Sequence, residues 1–258
     1  MKLSLLIALL AIPLSALATH AGSPPASFAY VLQADALAKS KSAAVDQLAA
    51  CGRDWVVLDA MFASDTPWKP ADIAAIRHGQ PGRKVIAYLS IGEAEDYRPY
   101  WRKEWGGHGK LTKGAPAWLG AENPAWKGNY RVKYWRADWQ KLMLAAIDDA
   151  MKRGFDGVYL DIVDGFEAFE QDGKEFIDNR VNPETKQTFR RDMVDWVKAI
   201  AACVRAKNPD AIVIPQNGSQ LLAQADFLAV ISASAWRTFS RTGTSSSPSR
   251  TRGRWSAS

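Results

Sequence analysis

The 258-residue chain has little of what most cofactor and metal chemistry needs. It holds two cysteines, Cys51 and Cys203, and three histidines, His20, His78 and His108. Two cysteines allow one disulfide or two thiols, and their spacing suits no metal site. Apolar runs long enough to span a bilayer are also missing. The longest, Leu3 to Leu17, follows Lys2 and leads to small-residue sites at Ala16-Leu17-Ala18 and Thr19-His20-Ala21. That pattern predicts a secretory signal peptide over residues 1–22, a secreted or periplasmic location and no stable membrane insertion.

Acidic residues are absent from Ser232 to Ser258, where five arginines lie. Of the 33 basic residues in the chain, 28 therefore remain for the rest, against 27 acidic ones. Five of the six net positive charges therefore belong to the tail, and the near-neutral body excludes a broad nucleic-acid surface. Nine serines, five arginines and four threonines in these last 27 residues cannot build a core, so residues 232–258 are expected to be a disordered tail.

Between the two ends, short β-branched or aromatic runs alternate with helical patterns, as parallel βα units do. Strands are expected at Phe28 to Gln33, Trp55 to Met61, Lys84 to Ile91, Tyr130 to Trp135, Gly157 to Ile162, Ala211 to Gln216 and Phe227 to Ile231. Apolar residues at 3, 4, 7 and 8 spacing predict a helix from Asp138 to Arg153 stopped by Gly154, a second from Pro183 to Asn208, and a third from Pro70 to Gly79. One α/β domain, residues 23–231, of (β/α)8 TIM-barrel-like class with about seven strands is expected, as a monomer.

Tyr97 to Trp139 interrupts this rhythm and carries six of the eleven tryptophans and four of the seven tyrosines. Long loops in compact domains are usually functional, and flat amphipathic rings stack on sugar faces. With Trp135 and Trp139 set aside as core, roughly half of the others are expected to be accessible.

In a parallel barrel the chemistry sits at the C-terminal strand ends, and here those ends are acidic. They hold Asp59, the run Glu93-Ala94-Glu95-Asp96, and Asp161 with Asp164 and Glu167; Gln216-Asn217 ends a further strand. Such carboxylates serve glycosidic acid/base work or bind divalent metal. No His or tight Asp-x-Asp cluster joins them, so neither a metal nor a cofactor is expected. Asp59, Glu95 and Asp164 could each cap a turn. Asp161 directly follows Val158-Tyr159-Leu160, where a charge is costly unless the strand opens into a site.

The stretches Tyr88-Leu89-Ser90-Ile91-Gly92-Glu93-Ala94-Glu95-Asp96-Tyr97-Arg98, Trp118-Leu119-Gly120 with Asn123-Pro124-Ala125-Trp126, Gly154 through Asp164, and Pro215-Gln216-Asn217-Gly218 resemble the motifs of glycoside hydrolase family 114. The resemblance implies an endo-α-1,4-polygalactosaminidase-like barrel acting on a cationic galactosamine polymer by two carboxylates, on a retaining course. It puts Asp161 at the catalytic carboxylate, and Asp59, Tyr88, Glu93, Asp164, Gln216 and Asn217 around the substrate. Binding without catalysis, or action on another polysaccharide, stays open. The resemblance also implies a Gly-Val-Glu-Asp segment after strand seven, whose Glu is the partner acid. Here the chain reads Ser234-Ala235-Trp236-Arg237, and a one-base frame change across these codons permits the missing motif.

Overall fold

The computed structural model describes residues 25–236, together with the backbone of 254–256. The expected signal segment, residues 1–22, and most of the expected tail lie outside the described residues.

In chain order the strands that matter are β1 (Phe28–Val31), β2 (Trp55–Asp59), β3 (Lys84–Ser90), β4 (Glu93–Glu95), β5 (Leu119–Glu122), β6 (Asn129–Val132), β7 (Gly157–Asp161), β8 (Ile212–Pro215) and β9 (Ser234–Trp236). The helices are α1 (Lys41–Ala49), α2 (Pro70–His78), α3 (Ala137–Lys152), α4 (Phe189–Lys207) and α5 (Ala225–Leu228). β1, β2, β3, β7 and β8 form one parallel sheet in chain order. The sheet continues past Ile231, because Ser232 N–H donates to Val213 O and Asn217 N–H to Ala235 O, both at 2.8 Å. A parallel bridge joins Gln216 to Ala235 there, and β9 also pairs antiparallel with residues 254–256. This is a mixed α/β, TIM-barrel-like fold.

Alternating side chains divide the interior between the two faces of the sheet. Val57, Ile86, Tyr88, Tyr159, Ile212 and Ile214 meet on one face, with Ala233 and Ala235. Val56, Leu58, Val85, Ala87, Val158, Leu160 and Val213 face the helices on the other. α3 buries Trp139, Met143, Ile147, Ala150 and Met151, the stripe its spacing predicts. The indole N–H groups of Trp139 and Trp196 both donate to Ile91 O, at 3.0 and 3.4 Å, which anchors the backbone just beyond β3.

Helix starts follow side-chain chemistry. Asp72 accepts from Lys69 N–H at 2.8 Å with Pro70 at the first position of α2. α4 starts at Phe189 rather than near Pro183, because Thr188 caps it, its hydroxyl accepting from Arg191 N–H at 3.1 Å. Two expected strands differ as well. Phe227 lies in α5, where Leu228 N–H donates to Gln224 O. Tyr130 is a strand residue, but β6 pairs antiparallel with β4 and β5 in a separate sheet. The two cysteines are unpaired thiols. No helix among the described residues is long and apolar enough to cross a membrane.

Candidate active site

Above the strand ends opens a cleft of about 1250 Å³. Every residue that the resemblance puts at the site lines it, namely Asp59, Tyr88, Glu93, Asp161, Asp164, Gln216 and Asn217, whereas Asp96 of the acidic run does not. Their surroundings differ, and the differences assign them different work.

Asp161 closes β7 and is 5% exposed. Tyr88 Oη donates to its Oδ2, Gln216 Nε2 to its Oδ1, and Ile162 N–H to the same Oδ1 at 2.9 Å. Donors on both oxygens favour the ionised form. Burial, and then the charge of Asp161, push the Tyr88 phenol well above its ordinary range, so Tyr88 stays a neutral donor. Directly after Asp161 the backbone turns sharply. Ile162 has φ 57°, a region a β-branched residue rarely enters. A close approach holds this turn: a Cβ added to Gly92 would lie 2.2 Å from Ile162 O. Glycine is required there by contact, not by its own backbone angles.

Asp59 is ion-paired. Arg98 grips it in a fork, Nη1 to Oδ1 at 2.6 Å and Nη2 to Oδ2 at 2.7 Å, while Arg98 Nε donates to Glu95 Oε2. Glu95 also accepts from the Tyr97 hydroxyl. Burial raises the Glu95 carboxyl, and the charge of Arg98 opposes that rise. One guanidinium thus spans two buried carboxylates.

Glu93 has no ion pair among the described residues. Its Oε1 accepts from Asn123 Nδ2 at 2.7 Å and its Oε2 from Asn129 Nδ2 at 3.3 Å. Burial raises its carboxyl, with the two amides opposing and Asp161 adding to the rise. Asp164 is pushed up to about 6, first by burial and then by the charges of Glu167 and Asp161; a hydrogen bond from Asn217 works the other way. Gln216 lines the cleft, is 3% exposed and donates to Asp161, so it helps to hold that carboxylate.

The aromatic insertion is more buried than its composition suggests. Trp105, Trp118, Tyr130 and Tyr134 are buried, and Trp101 and Tyr100 pack against the core. Only Trp126, 49% exposed, and Tyr97, 47%, stay open, and both line the cleft. Most of the rings pack edge to face, for example Trp105 on Trp118 at 5.3 Å. Phe176, exposed on a hairpin after β7, lines the same cleft.

Sequence reasoning gave no role to Arg98, Asn123, Asn129, Tyr30 or Tyr159. Asn123 and Arg98 stand inside the quoted motifs, but nothing in spacing tells that Arg98 reaches back 39 residues to Asp59. Among the described residues no group of three or more His, Cys, Asp or Glu could hold a metal ion.

A TIM-barrel-like parallel α/β sheet whose strand-end cleft holds buried carboxylates, hydrogen-bonding amides and open aromatic rings has the make-up of a carbohydrate-handling protein. The profile of glycoside-hydrolase family GH114 matches residues 13–235, and the chain belongs to that family. An uncharacterized protein of Deinococcus radiodurans is 41% identical over 179 residues, covering 69% of this chain and 51% of that protein. One from Thermotoga maritima is 38% identical over 151 residues, covering 58% and 42%. The chain therefore spans about half the length of the curated relatives it matches. The glycoside hydrolase domain of PelA from Pseudomonas aeruginosa superposes with a TM-score of 0.54 at 20% identity, covering 83% of this chain and 68% of that one, a likeness of fold.

Proposed function

We propose that the cleft hydrolyses glycosidic bonds in a polysaccharide bearing free amines, of the α-1,4-galactosamine type, outside the cytoplasm, with Asp161 as nucleophile. The observation that carries the reading is Asp161 itself, a carboxylate at a barrel strand end on the floor of a large cleft, with donors on both oxygens. Held in one orientation by these donors, its carboxyl group suits attack on an anomeric carbon through an oxocarbenium-like transition state. Cleft charge supports the cationic substrate. Seven acidic side chains line it (Asp35, Asp59, Glu93, Glu95, Asp161, Asp164, Glu167) against three basic ones (Arg98, Lys127, Arg131). Such a balance raises the local concentration of a polycation.

The second carboxylate that this chemistry needs favours a second reading. β9, the strand beside β8, reads Ser234-Ala235-Trp236 and offers none. Among the described cleft residues Asp164, pushed up to about 6, can carry a proton near neutrality, so turnover through it would be slow and fastest on the acid side. Without it the cleft binds polymer and does not cut. Incubation with deacetylated galactosamine polymer separates the two readings: slow release of new reducing ends supports hydrolysis, whereas tight binding with no release identifies a binding barrel. Preference for neutral glucans or galactans would overturn the substrate assignment.

A further inference from the structure

Gln216 is a carboxamide between unlike neighbours. Its Nε2 donates to Asp161 Oδ1, and its Oε1 accepts from the Tyr159 hydroxyl at 2.6 Å, with the Tyr30 hydroxyl at 3.5 Å from the same oxygen. All of this lies under cover: Gln216 is 3% exposed, Tyr159 5% and Asp161 5%. A buried amide can be turned end for end only if both of its ends find partners again. Turned, Gln216 would set Oε1 against the Asp161 carboxylate, oxygen to oxygen, and point its N–H at the Tyr159 hydroxyl in place of the oxygen to which that hydroxyl now donates. That arrangement suits only a protonated Asp161, whose O–H could then donate to Oε1. Tyr159 sits on β7 two residues before Asp161 and in register with Tyr88, so the same short strand carries the carboxylate and the group behind its partner.

We infer that Tyr159 is a positioning residue for Asp161: by occupying Gln216 Oε1 it locks the carboxamide with its N–H toward the carboxylate and holds Asp161 in the ionised state. The inference rests on the reading of Asp161 as the reactive carboxylate, but its geometry does not require turnover. Tyr88 supports the other oxygen directly, whereas Tyr159 acts one bond further back. Its removal therefore acts on the proton affinity of Asp161 rather than on contact with sugar.

The test is a pH titration of the Asp161 carboxyl by 13C NMR on the full chain labelled at aspartate carboxyls, with the resonance assigned by its loss in Asp161→Asn. In Tyr159→Phe, which keeps the ring, the Asp161 midpoint should rise by about half to one pH unit, the worth of one hydrogen bond. Gln216→Leu should raise it at least as far, and the double variant no further than Gln216→Leu alone, since Tyr159 works through the amide. Tyr30→Phe, at the longer distance, should shift it less. Amide spectra of each variant report whether the fold is kept. A midpoint in folded Tyr159→Phe equal to the parent's, or an undiminished effect of Tyr159→Phe in the Gln216→Leu background, overturns the inference. Failure of the hydrolytic reading shows separately, as product release that Asp161→Asn leaves unchanged.

Discussion

Asp164 and Gly92 show how single residues set the terms of the site. The Asp164 carboxyl is raised to about 6 from an ordinary 3.8, so the folded protein holds its proton more tightly than the unfolded chain does. Stability from this group is present at low pH and is lost as pH rises through the window from about 4 to 6. Asp164→Asn should therefore gain about 1–2 kcal/mol over the parent at pH 8, after allowance for partial exposure, and nothing at pH 4. Urea unfolding at the two pH values measures it; an equal difference at both would contradict the assignment. Gly92→Ala should act differently. An added methyl 2.2 Å from Ile162 O must push the turn that follows Asp161. A loss of more than about 2 kcal/mol is expected, and wild-type stability would show that the turn yields easily.

At the scale of elements, the insertion between β3 and α3 converts a bare strand end into a walled cleft. Arg98 fastens it by joining Asp59 on β2 to Glu95 on β4. Arg98→Met leaves two buried carboxylates without their cation, so a loss of about 3–5 kcal/mol is expected in thermal or denaturant unfolding. A change under 1 kcal/mol would make the pair dispensable. The turn from Asn123 to Asn129 presents Trp126 and supplies both amides that hold Glu93. Trp126→Ala should weaken oligosaccharide binding about tenfold at unchanged stability, while Trp105→Ala should cost stability. Calorimetric titration and unfolding of the two variants distinguish a stacking ring from a packing one.

The same elements show what was legible in the sequence. Asp161 stood out because a charge follows three buried apolar residues, and the α3 stripe was readable from spacing alone. Phe227 to Ile231 read as a strand because a short apolar run carries no period; the helix formed by Ala225 to Leu228 is a matter of local hydrogen bonds. Tyr130 was correctly a strand residue, yet the sheet it joins depends on where the insertion folds, which no local pattern records. Ion pairs across long separations, Arg98 with Asp59 above all, were invisible for the same reason.

On the scale of the whole molecule, near-neutral charge along the body hides a cleft with an acidic excess. Long-range attraction through such a cleft is screened by salt. Affinity for deacetylated galactosamine polymer should fall as ionic strength rises, while affinity for the N-acetylated polymer should be weaker and nearly flat. Equal, salt-independent binding of both would remove the charge-based account of substrate choice.

The most direct test of the central claim is reducing-end release from deacetylated α-1,4-galactosamine polymer by the parent chain and by Asp161→Asn, with the dissociation constant of each measured beside it. If Asp161 attacks the anomeric carbon, the variant should lose about a thousandfold or more in release rate while its affinity stays within about twofold. Release by Asp161→Asn within tenfold of the parent would contradict the account.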